Sequence, residues 1–425
     1  MFRVRQRFDA VRVEDVSQAT REQLERLRLA ERIRPGQSVA ISAGSRGIAR
    51  ISTILRAAVA HFQAIGARPF LVPAMGSHGG ATAEGQLDVL ASLGVTEEAC
   101  GCPIRSSMET VVAAQSAEGF PVHFDRHAFE ADHVLVCGRV KPHTDFAGEI
   151  ESGLMKMMLI GLGNHAGAKI YHRAIQDYNF DQIVRSVATQ VLANCRIVAG
   201  LAIVENGYDE TARIEAIEPT AIVEREKQLL VEAKRLLQRL PFRRVDLLIV
   251  DRIGKDISGT GMDTNVVGRK FNEHEALEQE WPKVRRIAVR DLSPGAHGNA
   301  TGIGVAEFCA SRLVAATDWN KTRLNCLTSG RIAVGMAPFD FPTDEAMITA
   351  ALGTVGLVEP ADARVLWIRD TLRLEEVECG RAYWEEASRR DDLTILTDPR
   401  PLPFDATGNL PAEGVEALAP SGSEN

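Results

Sequence analysis

Four side chains within residues 141–172, His143, Lys156, His165 and His172, mark the densest chemistry in this chain. Imidazoles move protons and bind metals near neutral pH. Lys156 stands among Leu154, Met155, Met157 and Met158. An amine in so apolar a run either snorkels to solvent or is desolvated into a nucleophile. Proton-transfer imidazoles beside a nucleophilic amine point to an enzyme. His165 and His172 lie two helical turns apart on one face, and such nitrogen ligands suit nickel, zinc or copper. Upstream, His78 sits in a Gly-Ser-His-Gly-Gly loop (76–80) with only small neighbours in sequence. His143 follows Pro142, which keeps the approach to it extended. His123, His127 and His133 straddle a loop and a strand start and read as structural.

The elements that must position these groups follow from hydrophobic period. Residues 38–42 form a short apolar run ending in Ala-Gly-Ser-Arg-Gly, which is turn chemistry. Residues 48–65 carry Ile51, Ile54, Leu55, Ala58, Val59 and Phe62 on one helical face. A second strand over 70–74 leads into the His78 loop, and a third over 131–140 ends at Lys141-Pro142-His143. Three strand ends, at Arg46, His78 and His143, thereby deliver polar groups to one edge of a parallel α/β sheet, the edge where open sheets build sites. Residues 220–241 read as a charged amphipathic helix, broken at Leu240-Pro241-Phe242, and a new strand starts at Val245. These signals predict two α/β domains with mainly parallel sheets and the active site in the cleft between them. The first, residues 1–240, is the cofactor-binding and catalytic domain. The second, 241–397, closes over the substrate, and a Pro/Gly/Ser/acid-rich tail, 398–425, is partly disordered.

Composition narrows the function further. The chain has 425 residues and a formal net charge of −8, without a basic stripe, which disfavours nucleic acid as partner. Its seven cysteines are scattered, and Cys100-Gly-Cys102 lacks the second pair that a zinc ribbon needs. Reduced thiols, the missing apolar core of a signal peptide, and no apolar run near the ~20 residues of a membrane span predict a soluble cytoplasmic protein. Gly161-Leu-Gly163-Asn-His-Ala166 fits a dinucleotide pattern, although no clear strand with a terminal acid follows it. An NAD-dependent 2-hydroxyacid dehydrogenase is therefore kept as an alternative.

Taken in order, Ser45-Arg46, Gly76-Ser-His78, Pro142-His143, Lys156 and His172 resemble the motifs of the nickel-dependent lactate racemase family. Its members racemise or epimerise 2-hydroxy acids with a nickel-pincer nucleotide, a pyridinium-3-thioamide-5-thiocarboxylate mononucleotide. The resemblance implies that His78 and His143 are the paired acid/base residues and that Lys156 joins the cofactor through a thioamide. It implies that Ser45 and Gly153 lie against the cofactor, that His172 is the protein ligand to nickel, and that Arg46 holds the substrate carboxylate. It also implies proton-coupled hydride transfer, and separate biosynthetic proteins as partners that supply the cofactor. The departures point away from lactate. Ala43 falls near the place of an acid in the lactate enzymes, and Gly-Thr-Gly-Met-Asp-Thr-Asn (259–265) replaces their second-domain Gln and Lys. Arg269, with Lys270, is the candidate for a second substrate cation, which suits a dicarboxylate such as malate, while Asp263, Thr264 and Asn265 offer hydrogen bonds that suit a longer polyhydroxy acid epimerised at carbon 2. A non-catalytic carrier of the nickel cofactor is a further alternative, and the oligomeric state, a homo-oligomer included, is open.

Overall fold

The computed structural model describes residues 1–45 and 47–418. They form two compact units, one of Asp9–His143 and Ala147–Leu237, the other of Met1–Phe8, Thr144–Phe146 and the residues from Gln238 onward. The division departs from a domain running unbroken over 1–240, because the first strand and a three-residue excursion after His143 pack with the later part of the chain.

The unit that carries the chemistry is built on a five-stranded sheet in the order Arg68–Pro73, Ser38–Ala43, His133–Arg139, Ile197–Glu205, Thr211–Ile217. The first four strands are parallel and the last is antiparallel to its neighbour. Val39, Ile41, Leu71, Leu135 and Leu201 are fully buried, the near-continuous apolar pattern of strands covered on both faces. Helix Ile51–Ala64 buries Ile54, Leu55, Ala58, Val59 and Phe62, the face its 3.6-residue period predicts. Helix Ile222–Leu236 buries Leu229, Leu230 and Ala233 and, among them, the carboxylic acid Glu226.

The other unit has an eight-stranded sheet: Phe339–Phe341, Phe308–Ala310, Lys283–Leu292, Arg244–Ile253, Val365–Ile368, Glu376–Cys379, Phe2–Gln6, Leu393–Ile395. Its first five strands run parallel. The N-terminal strand Phe2–Gln6 lies antiparallel between two strands from the far end of the chain. Both sheets are thus mainly parallel and the fold is α/β, as expected. Thr144–Phe146 is held by a hydrogen bond from the Thr264 hydroxyl to the Thr144 carbonyl and by an ion pair of Asp145 with Arg331.

The tail is ordered well past residue 398. Leu410 and Val415 are buried against Leu247, Ile249 and Trp367. Arg290 donates to the Leu410 carbonyl at 2.9 Å, and the Val415 N–H donates to the Asp251 carboxylate at 2.8 Å. Two buried apolar side chains and two buried charged groups outweigh the Pro/Gly/Ser composition that suggested disorder; residues 419–425 lie outside the described residues. All seven cysteines are unpaired thiols and buried. Among the described residues no helix is long and apolar enough to cross a membrane.

Candidate active site

Strands Arg68–Pro73, Ser38–Ala43 and His133–Arg139 are neighbours and parallel, so their C-terminal ends open on one edge. Ser45 follows the central strand and His78 the edge strand, and the Ser45 hydroxyl lies 2.5 Å from His78 Nδ1. The His78 loop is pinned from below. Buried Gln86 donates to the Gly76 carbonyl at 3.1 Å. Gly76 itself takes φ +62°, and a Cβ there would stand 2.9 Å from Ile160 Cγ2. Glycine is required at that position both by conformation and by space.

Past the third strand the chain turns at Ser152 and Gly153 into a run of helical turns. It starts as Leu154–Lys156, widens into a π-helical turn over Met157–Gly161, and continues as helix Asn164–Ala174. Such π turns recur at functional sites because the wider ring re-aims side chains. Asn164, at φ +50°, joins the two parts, and its amide donates to Asp125 at 2.9 Å. Burial pushes the Asp125 carboxyl above its ordinary value. Lys156 lies at the start of the run and His172 in the last turn of its final helix. Burial, assisted by Lys169, lowers His165 below the ordinary imidazole value.

These pieces enclose a cavity of about 240 Å³ whose wall includes Ser45, His78, Lys141, Gly153, Lys156 and His172. His143 is not among the lining residues. Its ring centroid lies 6.0 Å from that of Phe180, which packs 5.8 Å from Tyr171, whose ring is 5.3 Å from His172. The His143 turn is fixed by its N–H, which donates to Glu151 at 2.7 Å; buried Glu151 in turn pairs with Lys234 at 2.6 Å.

Residues 6–181 match the lactate racemase N-terminal domain. Every residue from Ser45 to His172 discussed above falls inside that domain. Among solved structures, the lactate racemase apoprotein from Thermoanaerobacterium thermosaccharolyticum is similar with a TM-score of 0.52 at 12% identity, covering 85% of this chain and 92% of that one. At that identity the likeness establishes a shared fold. No curated protein matches the chain at the level of sequence.

Within the matched residues the structure gathers Ser45, His78, Gly153, Lys156 and His172 on one cavity. Arg46 lies outside the described residues. Arg269, from the other unit, is corrected: its side chain is fully buried. It donates to the carbonyl of Val284 and, at 3.2 Å, to that of Arg285, and pairs with Glu307 at 3.1 Å. A guanidinium packed in this way supports the fold and does not reach for substrate. The Gly161–Gly163 segment is also not a strand-to-helix turn, since the residues before it are helical; the geometry a dinucleotide fingerprint needs is absent there.

Two lining residues were missed by the sequence reading, Arg139 and Lys141. Arg139 is neutralised by an ion pair with Glu205. Lys141 opens the same tripeptide as His143, and its position at the end of a buried strand was the signal that could have found it. Among the described residues no three His, Cys, Asp or Glu side chains are grouped to hold a metal on their own.

Proposed function

We propose that this chain is a racemase or epimerase of a small 2-hydroxy acid that works with a nickel-pincer nucleotide. The observation that carries the reading is the convergence of Ser45, His78, Lys156 and His172 on one cavity inside a lactate racemase N-terminal domain. The donor set fits the group. Lys156 would hold it covalently, Ser45 and Gly153 would line its berth, and His172 would ligate the nickel, whose other ligands come from the cofactor itself. When bound, the nucleotide supplies an acceptor and donor of hydride; separate biosynthetic proteins would provide it.

The protein's own residues handle the proton and the substrate. A 2-hydroxy acid changes hand only through a planar centre, and its hydroxyl must lose a proton as that centre forms. His78 takes this proton at Nε2 and later returns it. Its Nδ1 faces the Ser45 hydroxyl, which can accept from an N–H or donate to a lone pair. Ser45 thus supports His78 as base and as acid with the same ring orientation. The two enantiomers present the hydroxyl on opposite sides, so a second histidine is needed; the family resemblance gives that role to His143, which lies beyond the lining of this cavity. Arg46 holds the carboxylate in a bidentate fork. Lys141 provides the additional cation that Arg269 cannot, and this favours a dicarboxylate such as malate over lactate.

The test is the intact mass and nickel content of protein produced together with the cofactor-synthesis proteins, followed by chiral analysis of malate and lactate. An adduct of nucleotide mass on Lys156, lost in Lys156→Ala, together with interconversion of malate enantiomers is expected. An unmodified Lys156 without nickel under those conditions would overturn the reading. An adduct with no turnover of any 2-hydroxy acid would leave a cofactor carrier instead.

A further inference from the structure

Glu226 is a carboxylic acid with 1% of its surface exposed, on a helix whose charged pattern suggested a solvated face. Its Oε2 accepts the Met155 N–H at 3.0 Å, and the Leu154 N–H is its second backbone contact. Its Oε1 has no hydrogen-bond partner among the described residues. The Lys156 turn is shaped around it: a Cβ on Gly153 would sit 2.4 Å from Oε1. Leu154 packs over Gly200, where a Cβ would stand 2.5 Å from Leu154 Cδ1. The first N–H groups of any helix lack intrahelical acceptors, and a carboxylate there satisfies them and complements the helix dipole. Leu154 and Met155 open the helical run that bears Lys156.

The same helix, Ile222–Leu236, does a parallel job two turns on. Lys234 pairs with Glu151, whose other carboxylate oxygen accepts the His143 N–H. Glu226 and Lys234 stand eight residues apart, ~12 Å along the axis at ~1.5 Å per residue. One rigid element is thereby tied to the Lys156 turn at one end and the His143 turn at the other. We propose that Glu226 is the positioning residue for Lys156, its carboxylate fixing the first turn of the run so that the amine is presented to the cavity. The assignment rests on the reading of Lys156 as the point of cofactor attachment; the geometry of the cap does not.

The test uses the full chain prepared without cofactor, so that its outcome is separable from that of the nickel-pincer reading. Amide exchange at Met155 and acylation of Lys156 by acetic anhydride, mapped by mass spectrometry against the other lysines, are compared in wild type, Glu226→Gln and Glu226→Asp. Expected are at least tenfold faster exchange at Met155 and at least a threefold change in Lys156 acylation in Glu226→Asp, which cannot reach. Glu226→Gln, which keeps length and an acceptor oxygen, is expected to restore most of both. Unchanged Lys156 acylation in a folded Glu226→Asp chain overturns the proposal, even if Met155 exchange rises, because the cap is then only structural. Should the variants fail to fold, Met155 exchanging in wild type as fast as exposed loop amides overturns it equally.

Discussion

Burial of Glu226 has a thermodynamic signature that can be read without substrate or cofactor. Burial is the largest influence on it and the two backbone N–H groups oppose it only in part, so the acid is raised from 4.5 to about 7. Below 4.5 the group is neutral in both folded and unfolded chains and costs nothing. Between 4.5 and about 7 the unfolded chain releases the proton while the folded chain keeps it, so unfolding gains as pH rises. Stability from this group is therefore fully present in acid and is lost as pH climbs through about 7. At ~1.4 kcal/mol per pH unit, the interval from 4.5 to about 7 gives a loss of ~3 kcal/mol. Glu226→Gln removes the titration and keeps the shape, so the variant should match wild type near pH 5 and exceed it by ~2–3 kcal/mol at pH 8. Urea melts followed by far-UV circular dichroism at pH 5, 6, 7 and 8 measure this difference. Parallel stability curves for the two proteins across that range would refute the reasoning, since the acid would then titrate alike in folded and unfolded chains.

His78→Ala and His143→Ala should each slow enantiomer interconversion by ~10²–10⁴-fold in cofactor-loaded protein, measured by chiral chromatography; turnover intact in both would exclude the two-histidine mechanism. Lys141→Gln should raise KM for malate at least ~10-fold, roughly the 1.5–3 kcal/mol of a charged hydrogen bond, while leaving KM for lactate within twofold. Equal effects on both acids would remove Lys141 from the second-carboxylate role. Arg269→Met should lower thermal stability by ~3 kcal/mol, because it breaks the buried ion pair with Glu307, yet leave the malate-to-lactate ratio unchanged. A shifted ratio in a folded variant would restore Arg269 to substrate recognition.

Much of the site was legible because its positions are local to strand ends. A short buried run followed by Gly-Ser-Arg-Gly or Gly-Ser-His-Gly-Gly tells both the element and what it delivers, and Ser45 and His78 do meet. Periodicity likewise announced helix Ile51–Ala64 and the parallel strands. Long-range burial was not legible. Arg269 reads as a substrate cation and Glu226 as one charge of an amphipathic helix, and only the packing of distant elements puts them inside. Lys141 was hidden by its neighbour His143, whose chemistry drew the attention. The described part of the tail, up to residue 418, was illegible for the opposite reason. Its composition is that of a disordered segment, but a few side chains such as Leu410 and Val415, seated against Trp367 and Ile249, suffice to hold it. Composition counts residues and does not weigh which of them find a surface to cover.

The strand Phe2–Gln6 bears on how the protein can be made and divided. It fills the slot between Glu376–Cys379 and Leu393–Ile395, so these residues wait for ones made some 370 positions later before their backbone bonds can close. Arg3 carries its charge into that slot, where it meets Glu378 at 2.9 Å. A gene fragment beginning at residue 238 would encode a sheet with an open gap, where the buried Glu378 keeps Arg400 but loses Arg3. A circular permutation that appends residues 1–8 downstream of the tail would instead turn a pairing across some 370 positions into a local one, and should let that half of the molecule be produced, and studied, by itself.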